Sequence, residues 1–371
     1  MERYFGENTP KLGFGLMRLP RLADGKTIDI EQTKQMVDLF MEAGFTYFDT
    51  AYVYDGSEEA ARAALVDRYP RESYTLATKL NAGIPKLDEA AAKQQFTTSL
   101  ERTGAGYFDY YLLHALQRGN RERYDGFRLW DFVREQKAKG LIKHYGFSFH
   151  ADPELLDELL TEHPDVEFVQ LQINYADWEN PRVASRACWE IARKHGKSVV
   201  IMEPVKGGTL AEPTAEAREL FRAADPKASY ASWAIRYAAS LDGIITVLSG
   251  MSDLEQVKDN ISYMKDFKPL DEAQQAVIRR VQQVLKDRAI PCTACRYCVD
   301  GCPKNIAIPE IFAVRNRGGV DSGYYTAVTD GKGKGKASDC VACGLCESAC
   351  PQHLSIRELL ADAAKEFERQ D

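Results

Sequence analysis

Cysteines are the first residues in this chain whose spacing indicates a chemistry. Eight of its nine cysteines fall within the last 80 of its 371 residues, in two runs. The first run is "CTACRYCVDGCP", from Cys292 to Pro303, and the second is "CVACGLCESACP", from Cys340 to Pro351. The N-terminal "MERYFGENTPKLG" is charged and lacks the apolar core of a secretory signal, so we expect a reducing, cytoplasmic location. Thiolates in such a compartment are free to bind metal.

Both runs follow the pattern C-x₂-C-x₂-C-x₃-C-P, which is typical of bacterial ferredoxins that hold [4Fe–4S] clusters. Zinc is the alternative metal, but it typically uses two separated pairs of ligands. In the ferredoxin pattern, three thiolates bind one cluster and the fourth cysteine ligates the other. We therefore predict two [4Fe–4S] clusters, one held by Cys292, Cys295, Cys298 and Cys350, and the other by Cys340, Cys343, Cys346 and Cys302.

The surroundings of the two runs repeat as well, which indicates an internal duplication. "CPKNIAIPEIF" and "CPQHLSIRELL" both place a helix start after the proline. The long helical spacers predict a small α-helical ferredoxin-like dicluster domain. Between the runs, "DGKGKGKASD" (330–339) predicts a mobile loop. A solvated loop without a partner is the favoured interpretation, and a loop that docks an acidic electron partner is the alternative.

The longer first part of the chain alternates short apolar runs with amphipathic helical patterns. Runs such as "FTYFDTA", "SYTLATKL", "FDYYLLHA" and "GIITVLSG" predict parallel strands that are buried on both faces. Eight strand–helix units in about 250 residues predict an α/β protein with a (β/α)₈ TIM barrel. We place this barrel over residues 1–267, and a linker helix with the cysteine domain over 268–371. An open doubly wound sheet is the alternative, but its Gly-rich dinucleotide fingerprint is missing.

Polar residues stand where these strands end, which is where such barrels place their chemistry. Asp49 ends the second strand, Lys79 the third and His114 the fourth. Tyr54 follows Asp49 by five residues, on the loop above. Buried charges are rarely left unpaired, so we expect Asp49 and Lys79 to face each other. The alternative is a structural ion pair beside a core histidine.

The stretches "FDTAYVY", "ATKL" and "YYLLHA", in this order, resemble the aldo-keto reductase pattern across nearly all of residues 1–267. The resemblance implies an oxidoreductase in which Tyr54 donates a proton to a carbonyl oxygen. Lys79 would lower the pKa of that phenol, and Asp49 would keep Lys79 charged. His114 would bind the substrate oxygen and stabilise the charge that develops there.

The same resemblance implies a nicotinamide cofactor, NAD(P)H, at the barrel mouth. Ser148, after the fifth strand, and Gln172, on the sixth, would contact the carboxamide. Phe149 stands where the family usually has Asn, so these contacts are incomplete.

"LSGMSDLEQVKDN", after the eighth strand, resembles the segment that holds the adenylate phosphates in that family. Ser252 and Asn260 are its candidate contacts. Ser252 with Glu255 indicates a capping box at a helix N-terminus. This N-terminus would face a phosphate, or the helix is simply a well-capped surface helix, and the motif favours both interpretations equally. Arg18, after the first strand, is a candidate for binding an acidic substrate or a phosphate, although a surface ion pair is favoured.

Composition narrows the possible partners. The net charge of −7 disfavours nucleic acid, and no apolar run approaches the roughly 20 residues of a membrane span. We expect a small-molecule substrate, and possible exchange of electrons with a ferredoxin or a similar one-electron partner.

The barrel and the cysteines together predict an iron–sulfur oxidoreductase, similar to the aldo-keto reductases of bacteria and archaea that carry a C-terminal ferredoxin domain. It would reduce or oxidise a small carbonyl or alcohol with electrons exchanged through the clusters. Hydride transfer moves two electrons and each cluster moves one, so a flavin is a possible further cofactor. The alternatives are an ordinary NAD(P)H-dependent carbonyl reductase with structural clusters, and an electron carrier with an idle barrel.

Overall fold

The structure of the protein is a computed structural model that describes residues 3–181, 183–292, 294–317, 322–330 and 334–368. The chain divides into two compact units. The first extends to Val205 and resumes over Ala231–Leu270, and the second combines Lys206–Tyr230 with the chain from Asp271 onward. Part of the predicted mobile loop, 331–333, lies outside the described residues. Among the described helices, none combines the length and apolar character that crossing a bilayer requires.

Eight parallel strands close into a barrel in chain order, which confirms the predicted fold of the first unit. The strands are β1 (Leu12–Gly15), β2 (Tyr47–Asp49), β3 (Thr75–Leu80), β4 (Phe108–Leu116), β5 (Ile142–Phe149), β6 (Phe168–Gln172), β7 (Ser198–Met202) and β8 (Ile244–Ser249).

Sixteen α-helices are described across the two units. They are α1 (Ile30–Glu42), α2 (Ser57–Ala61), α3 (Glu89–Thr103), α4 (Arg121–Gly126), α5 (Leu129–Ala138), α6 (Pro153–Glu162), α7 (Ser185–Lys194), α8 (Ala215–Ala224), α9 (Tyr230–Ala239), α10 (Leu254–Met264), α11 (Glu272–Arg288), α12 (Tyr297–Asp300), α13 (Ile308–Arg315), α14 (Ser322–Thr329), α15 (Leu345–Ser348) and α16 (Ile356–Phe367). The predicted linker helix is α11, and it begins in a capping box between Asp271 and Gln274.

The barrel interior is packed, and its packing sets the floor of a site at the strand ends. Apolar side chains fill it, among them Tyr47 on β2, Ala77 on β3 and Leu112 on β4. Each of these lies two residues before a polar residue on the same strand, namely Asp49, Lys79 and His114. Because strand residues two apart share a face, the three polar side chains point into the barrel directly above the apolar layer.

The second unit repeats its own backbone with an offset of 48 residues. The amide of Cys302 bonds the carbonyl of Val299 at 3.0 Å, and that of Cys350 bonds Glu347 at 3.2 Å. Each half continues into a helix, α13 or α16, that begins at a buried isoleucine, Ile308 or Ile356. The predicted duplication and the helix after each proline are therefore present in the fold.

Candidate active site and cysteine cavities

A buried ion pair forms the base of the site in the barrel. The Lys79 ammonium is fully buried and donates to Asp49 Oδ1 at 2.5 Å and to the Thr50 carbonyl at 2.6 Å. Gln170, on β6, donates to the other oxygen of Asp49 at 3.2 Å. Burial alone would lower the pKa of Lys79, but the Asp49 carboxylate and Tyr54 raise it above its ordinary value. Lys79 therefore stays protonated inside the barrel.

Tyr54 is placed over this charge by the turn that follows β2. Its amide bonds the Ala51 carbonyl at 2.9 Å, and its carbonyl accepts from the amide of Ser57 at the start of α2. The Lys79 Nζ lies 5.1 Å from the centre of the half-buried Tyr54 ring. Burial raises the pKa of Tyr54, and attraction to Lys79 only partly offsets this. From the sequence we expect a lowered pKa for Tyr54. Its pKa is instead raised, because desolvation of the phenolate outweighs the attraction of the phenolate to the Lys79 ammonium. At neutral pH the hydroxyl keeps its proton.

His114 completes the group of four. Its ring meets that of Tyr54 edge-on, with centroids 5.6 Å apart and planes at 82°. Burial, with the nearby Lys79 charge, lowers the pKa of His114 well below its usual value, so the imidazole is neutral. Its Nδ1 is buried and has no hydrogen-bond partner in the described part of the chain. Buried polar atoms without a partner are uncommon in folded proteins, and a catalytic role is one of the explanations for them.

A β-bulge presents His114 at the barrel mouth. The register between β4 and β5 shifts between Leu113 and Leu116, and Ala115 adopts a left-handed φ of 55°. The Ala115 amide donates to Ser148 Oγ at 2.7 Å, and Tyr124 donates its hydroxyl to the His114 carbonyl. Ser148, a predicted cofactor contact, is thus fully buried and accepts a bond that stabilises the bulge.

Gln172, the second predicted carboxamide contact, has a hydrogen-bond partner of its own. Its side-chain amide donates to Asp177 at 3.1 Å. Gln170 instead reaches Asp49. Both glutamines share a strand face, and the sequence pattern does not distinguish the deeper one.

The segment after β8 differs in detail from its sequence prediction. The N-cap of α10 is Asp253, which accepts from the Gln256 amide at 2.8 Å, so the predicted Ser252–Glu255 capping box is wrong by one residue. Ser252 donates its hydroxyl to the Arg18 carbonyl at 2.8 Å. Asn260 is buried and donates to Ser249 at 2.7 Å.

The Arg18 side chain is exposed, and the favoured surface ion pair does not form with any described residue.

Glu203 is a polar residue at the site that was not among the sequence candidates. It follows β7 directly and holds a left-handed φ of 57°, which is uncommon for a residue other than glycine. Its carbonyl accepts from Asn174 at 3.2 Å. Its half-buried carboxylate lies close enough to Tyr54 to contribute to the raised pKa of that hydroxyl. The strand-end rule applied to "SVVIMEP" would have found it.

Eight cysteines of the second unit surround two cavities. The first is lined by Cys292, Cys295, Cys298 and Cys350. The second is lined by Cys302, Cys340, Cys343 and Cys346. In the described residues no three Cys, His, Asp or Glu side chains converge as ligands of a single metal ion; the thiols surround a larger space. These groups of four match the predicted ligand sets, and ligation itself stays a prediction.

The residues around each cavity fit an iron–sulfur cluster. Apolar side chains such as Ile308 line both. Between the ligand cysteines the backbone turns left-handed at equivalent points, with φ of 55° at Ala294 and Ala342, 69° at Arg296 and 77° at Gly344. Successive turns of this kind form concave nests of N–H groups, which suit an anionic cluster. The same strain recurs in both halves, which indicates a shared requirement.

Comparisons with known proteins cover both units. The family model "Aldo/keto reductase family" matches residues 11–283, and the family model "4Fe-4S dicluster domain" matches residues 291–355. The domain boundary at 267/268 stays a prediction. An aldo-keto reductase of Mycolicibacterium smegmatis is 29% identical over 210 residues, which are 56% of this chain and 69% of the relative.

Two solved structures share the fold of the barrel. Aldo-keto reductase AKR11C1 from Bacillus halodurans, in its holo form, is 25% identical with a TM-score of 0.58, and the match covers 73% of this chain and 91% of that one. An aldo/keto reductase from Klebsiella pneumoniae, in complex with NADP and acetate, is 21% identical with a TM-score of 0.59, over 74% and 92% of the two chains.

Proposed function

Because the chain belongs to the aldo/keto reductase family, we propose that it is an iron–sulfur oxidoreductase that reduces or oxidises a small carbonyl or alcohol substrate at the barrel mouth. Electrons are exchanged with a one-electron partner through two [4Fe–4S] clusters. One observation carries this proposal. The same chain holds a buried Asp49–Lys79 pair beside Tyr54 and His114, and eight thiols grouped around two cavities.

The barrel residues handle the substrate oxygen and its proton. Neutral His114, whose ring packs edge-on against Tyr54, donates a hydrogen bond to the carbonyl oxygen. Tyr54 gives its proton to that oxygen during reduction and takes it back during oxidation. Lys79 stabilises the phenolate that remains, and Asp49, itself bonded by Gln170, holds Lys79 in place.

The electron balance fits two one-electron centres. Reduction of a carbonyl to an alcohol consumes two electrons and two protons; Tyr54 supplies the proton at oxygen, and the proton at carbon would come from solvent water. When bound, the clusters supply one electron each.

We also propose a nicotinamide at the barrel mouth, with Gln170 nearer to the reacting groups than Gln172. The support is the Klebsiella pneumoniae structure, which is a complex with NADP. This observation favours a second candidate function, namely NAD(P)H-dependent carbonyl reduction with clusters that only stabilise the fold.

Anaerobic purification tests the proposal and separates the two functions. We expect iron and acid-labile sulfide of about eight each per chain, and reduction of a panel of small aldehydes and ketones by reduced viologen dye. Carbonyl reduction with NAD(P)H and none with the dye would support the second function. A colourless, zinc-loaded protein would contradict both.

A further inference from the structure

The loop that carries Tyr54 is exposed on its outer side. Residues 50–57 lead from the end of β2 into α2, and Val53, Asp55 and Gly56 are exposed. Exposed segments of this kind open locally at a low free energy unless other contacts hold them. Proton transfer from Tyr54 depends on its position, so the contacts that fix this loop bear on the reaction.

Tyr52 is the residue at which the loop is held from both sides. Its amide donates to the Lys79 carbonyl at 3.1 Å, and its carbonyl accepts from Arg102 Nη1 at 3.1 Å. The guanidinium carbon of Arg102 also lies 4.6 Å from the centre of the Tyr52 ring. Because Tyr52 lies two residues before Tyr54, these bonds restrain the turn that presents the phenol.

Glu58, on α2, orients the arginine that holds Tyr52. Its side chain is fully buried, and its two oxygens accept from Arg102 Nη1 at 3.3 Å and from the Thr78 hydroxyl at 2.7 Å. Thr78 immediately precedes Lys79 on β3, and Arg102 lies in the last turn of α3. A buried carboxylate is costly without partners, and here each oxygen has one. We define Glu58, Thr78 and Arg102 as the loop clamp.

We propose that Glu58 and Arg102 are positioning residues for the proton transfer by Tyr54. The inference rests on the proposed function, and it adds two side chains that act through the loop clamp. Desolvation offsets much of the attraction within a buried ion pair, so the pair contributes more to placement than to stability. When the loop shifts, the phenol moves relative to Lys79 and His114, and a displacement of about 1 Å can slow a reaction about 100-fold.

The experiment measures kcat and KM for carbonyl reduction, with NAD(P)H or reduced viologen as the donor. Arg102→Met keeps the unbranched stem and removes the guanidinium, so kcat should fall about tenfold while KM stays within about twofold. Arg102→Lys keeps a cation that can reach the Tyr52 carbonyl and should recover kcat to within about threefold of wild type. Glu58→Gln keeps the shape of the side chain and should lower kcat about threefold. The surface pair of Arg102 with Glu59, at 3.3 Å, contributes little.

A double-mutant cycle shows whether the loop clamp acts through Tyr54. In the Tyr54→Phe background, Arg102→Met should lower the residual kcat by no more than about twofold, because the group that the clamp positions is already absent. A general structural role would lower kcat by the same factor in both backgrounds.

Arg68→Met is the matched control. The Arg68 side chain is 31% exposed, against 33% for Arg102, and it pairs with Asp38 at 2.8 Å. It also donates to the Ala64 carbonyl at 3.0 Å, and none of its hydrogen bonds within the described residues reaches the loop. This variant should leave kcat within about twofold of wild type.

Hydrogen exchange of residues 50–57 gives a readout that does not depend on activity. The amides of Thr50, Tyr52 and Tyr54 are all hydrogen-bonded in this segment. Arg102→Met should make peptides that cover it exchange about tenfold faster and leave those of β4 unchanged, and Arg68→Met should change neither.

The proposal is overturned if Arg102→Met keeps the wild-type kcat and exchange rates, if its effect on kcat is equal with and without the Tyr54 hydroxyl, or if Arg68→Met has the same effect. Glu58→Gln carries the same comparisons if Arg102→Met does not fold. Failure of the proposed function has a different signature, which is a wild type that reduces no carbonyl with either donor. In that case faster exchange of residues 50–57 in Arg102→Met supports the positioning of the loop, and unchanged exchange overturns it.

Discussion

Replacing Tyr54 by phenylalanine removes one hydroxyl and leaves the ring over Lys79. The ring is half-buried, and its edge-on contact with His114 does not use the hydroxyl, so the free energy of unfolding should change by about 1 kcal/mol or less. Loss of the proton donor should slow carbonyl reduction by about 10²–10⁴-fold. This corresponds to about 3–5 kcal/mol of transition-state stabilisation. Activity and stability should thus separate clearly.

Tyr47→Phe is the matched control for this substitution. Tyr47 is fully buried in the barrel below Asp49, and its hydroxyl has no hydrogen-bond partner among the described residues. Its removal should leave carbonyl reduction within about twofold of wild type, since an unpaired buried hydroxyl contributes little. The assay is steady-state reduction of small aldehydes, with thermal unfolding of each variant in parallel. Full activity of Tyr54→Phe on every substrate that wild type reduces would refute the role of Tyr54.

Three further predictions concern charge and electron flow. Lys79→Met removes the attraction that holds down the pKa of Tyr54, so the alkaline limb of the pH–rate profile for reduction should move to higher pH; an unmoved limb would show that Tyr54 is not the titrating group. Glu203→Gln removes a charge that raises the same pKa, so its limb should move to lower pH, and a shift in the direction of Lys79→Met would contradict the placement of Glu203. Cys295→Ser should abolish electron exchange with viologen dye and spare NAD(P)H-dependent reduction, which needs only the barrel. Iron analysis and both activity assays check this prediction. Unchanged activity with the dye would show that the clusters are structural.

The central residues of the barrel could be predicted because a parallel barrel brings all its strand ends to one rim. Asp49, Lys79 and His114 each end or nearly end an apolar run, and that position alone determines that they meet. Glu203 obeys the same rule. Depth along a strand is not visible in the pattern, and for this reason the sequence does not separate Gln170 from Gln172.

Other features depend on energies that the sequence does not contain. Two overlapping capping patterns precede α10. The path of the chain after β8 determines that Asp253, and not Ser252, is the N-cap of this helix. The pKa of Tyr54 is a balance between burial and the charge of Lys79, and only the three-dimensional distances decide it. The grouping of the cysteines was accessible because their spacing carries its own geometry.

Single-turnover reoxidation of the clusters decides whether electrons pass from them to a carbonyl. The protein is purified without air, its clusters are reduced, excess reductant is removed, and small aldehydes and ketones are added while visible absorbance is followed. We predict that a substrate reoxidises the clusters, that one alcohol forms for every two electrons lost, and that Tyr54→Phe slows this step with its clusters intact. The proposed electron path would be contradicted if the clusters stayed reduced with every carbonyl that the same protein reduces at full rate with NAD(P)H.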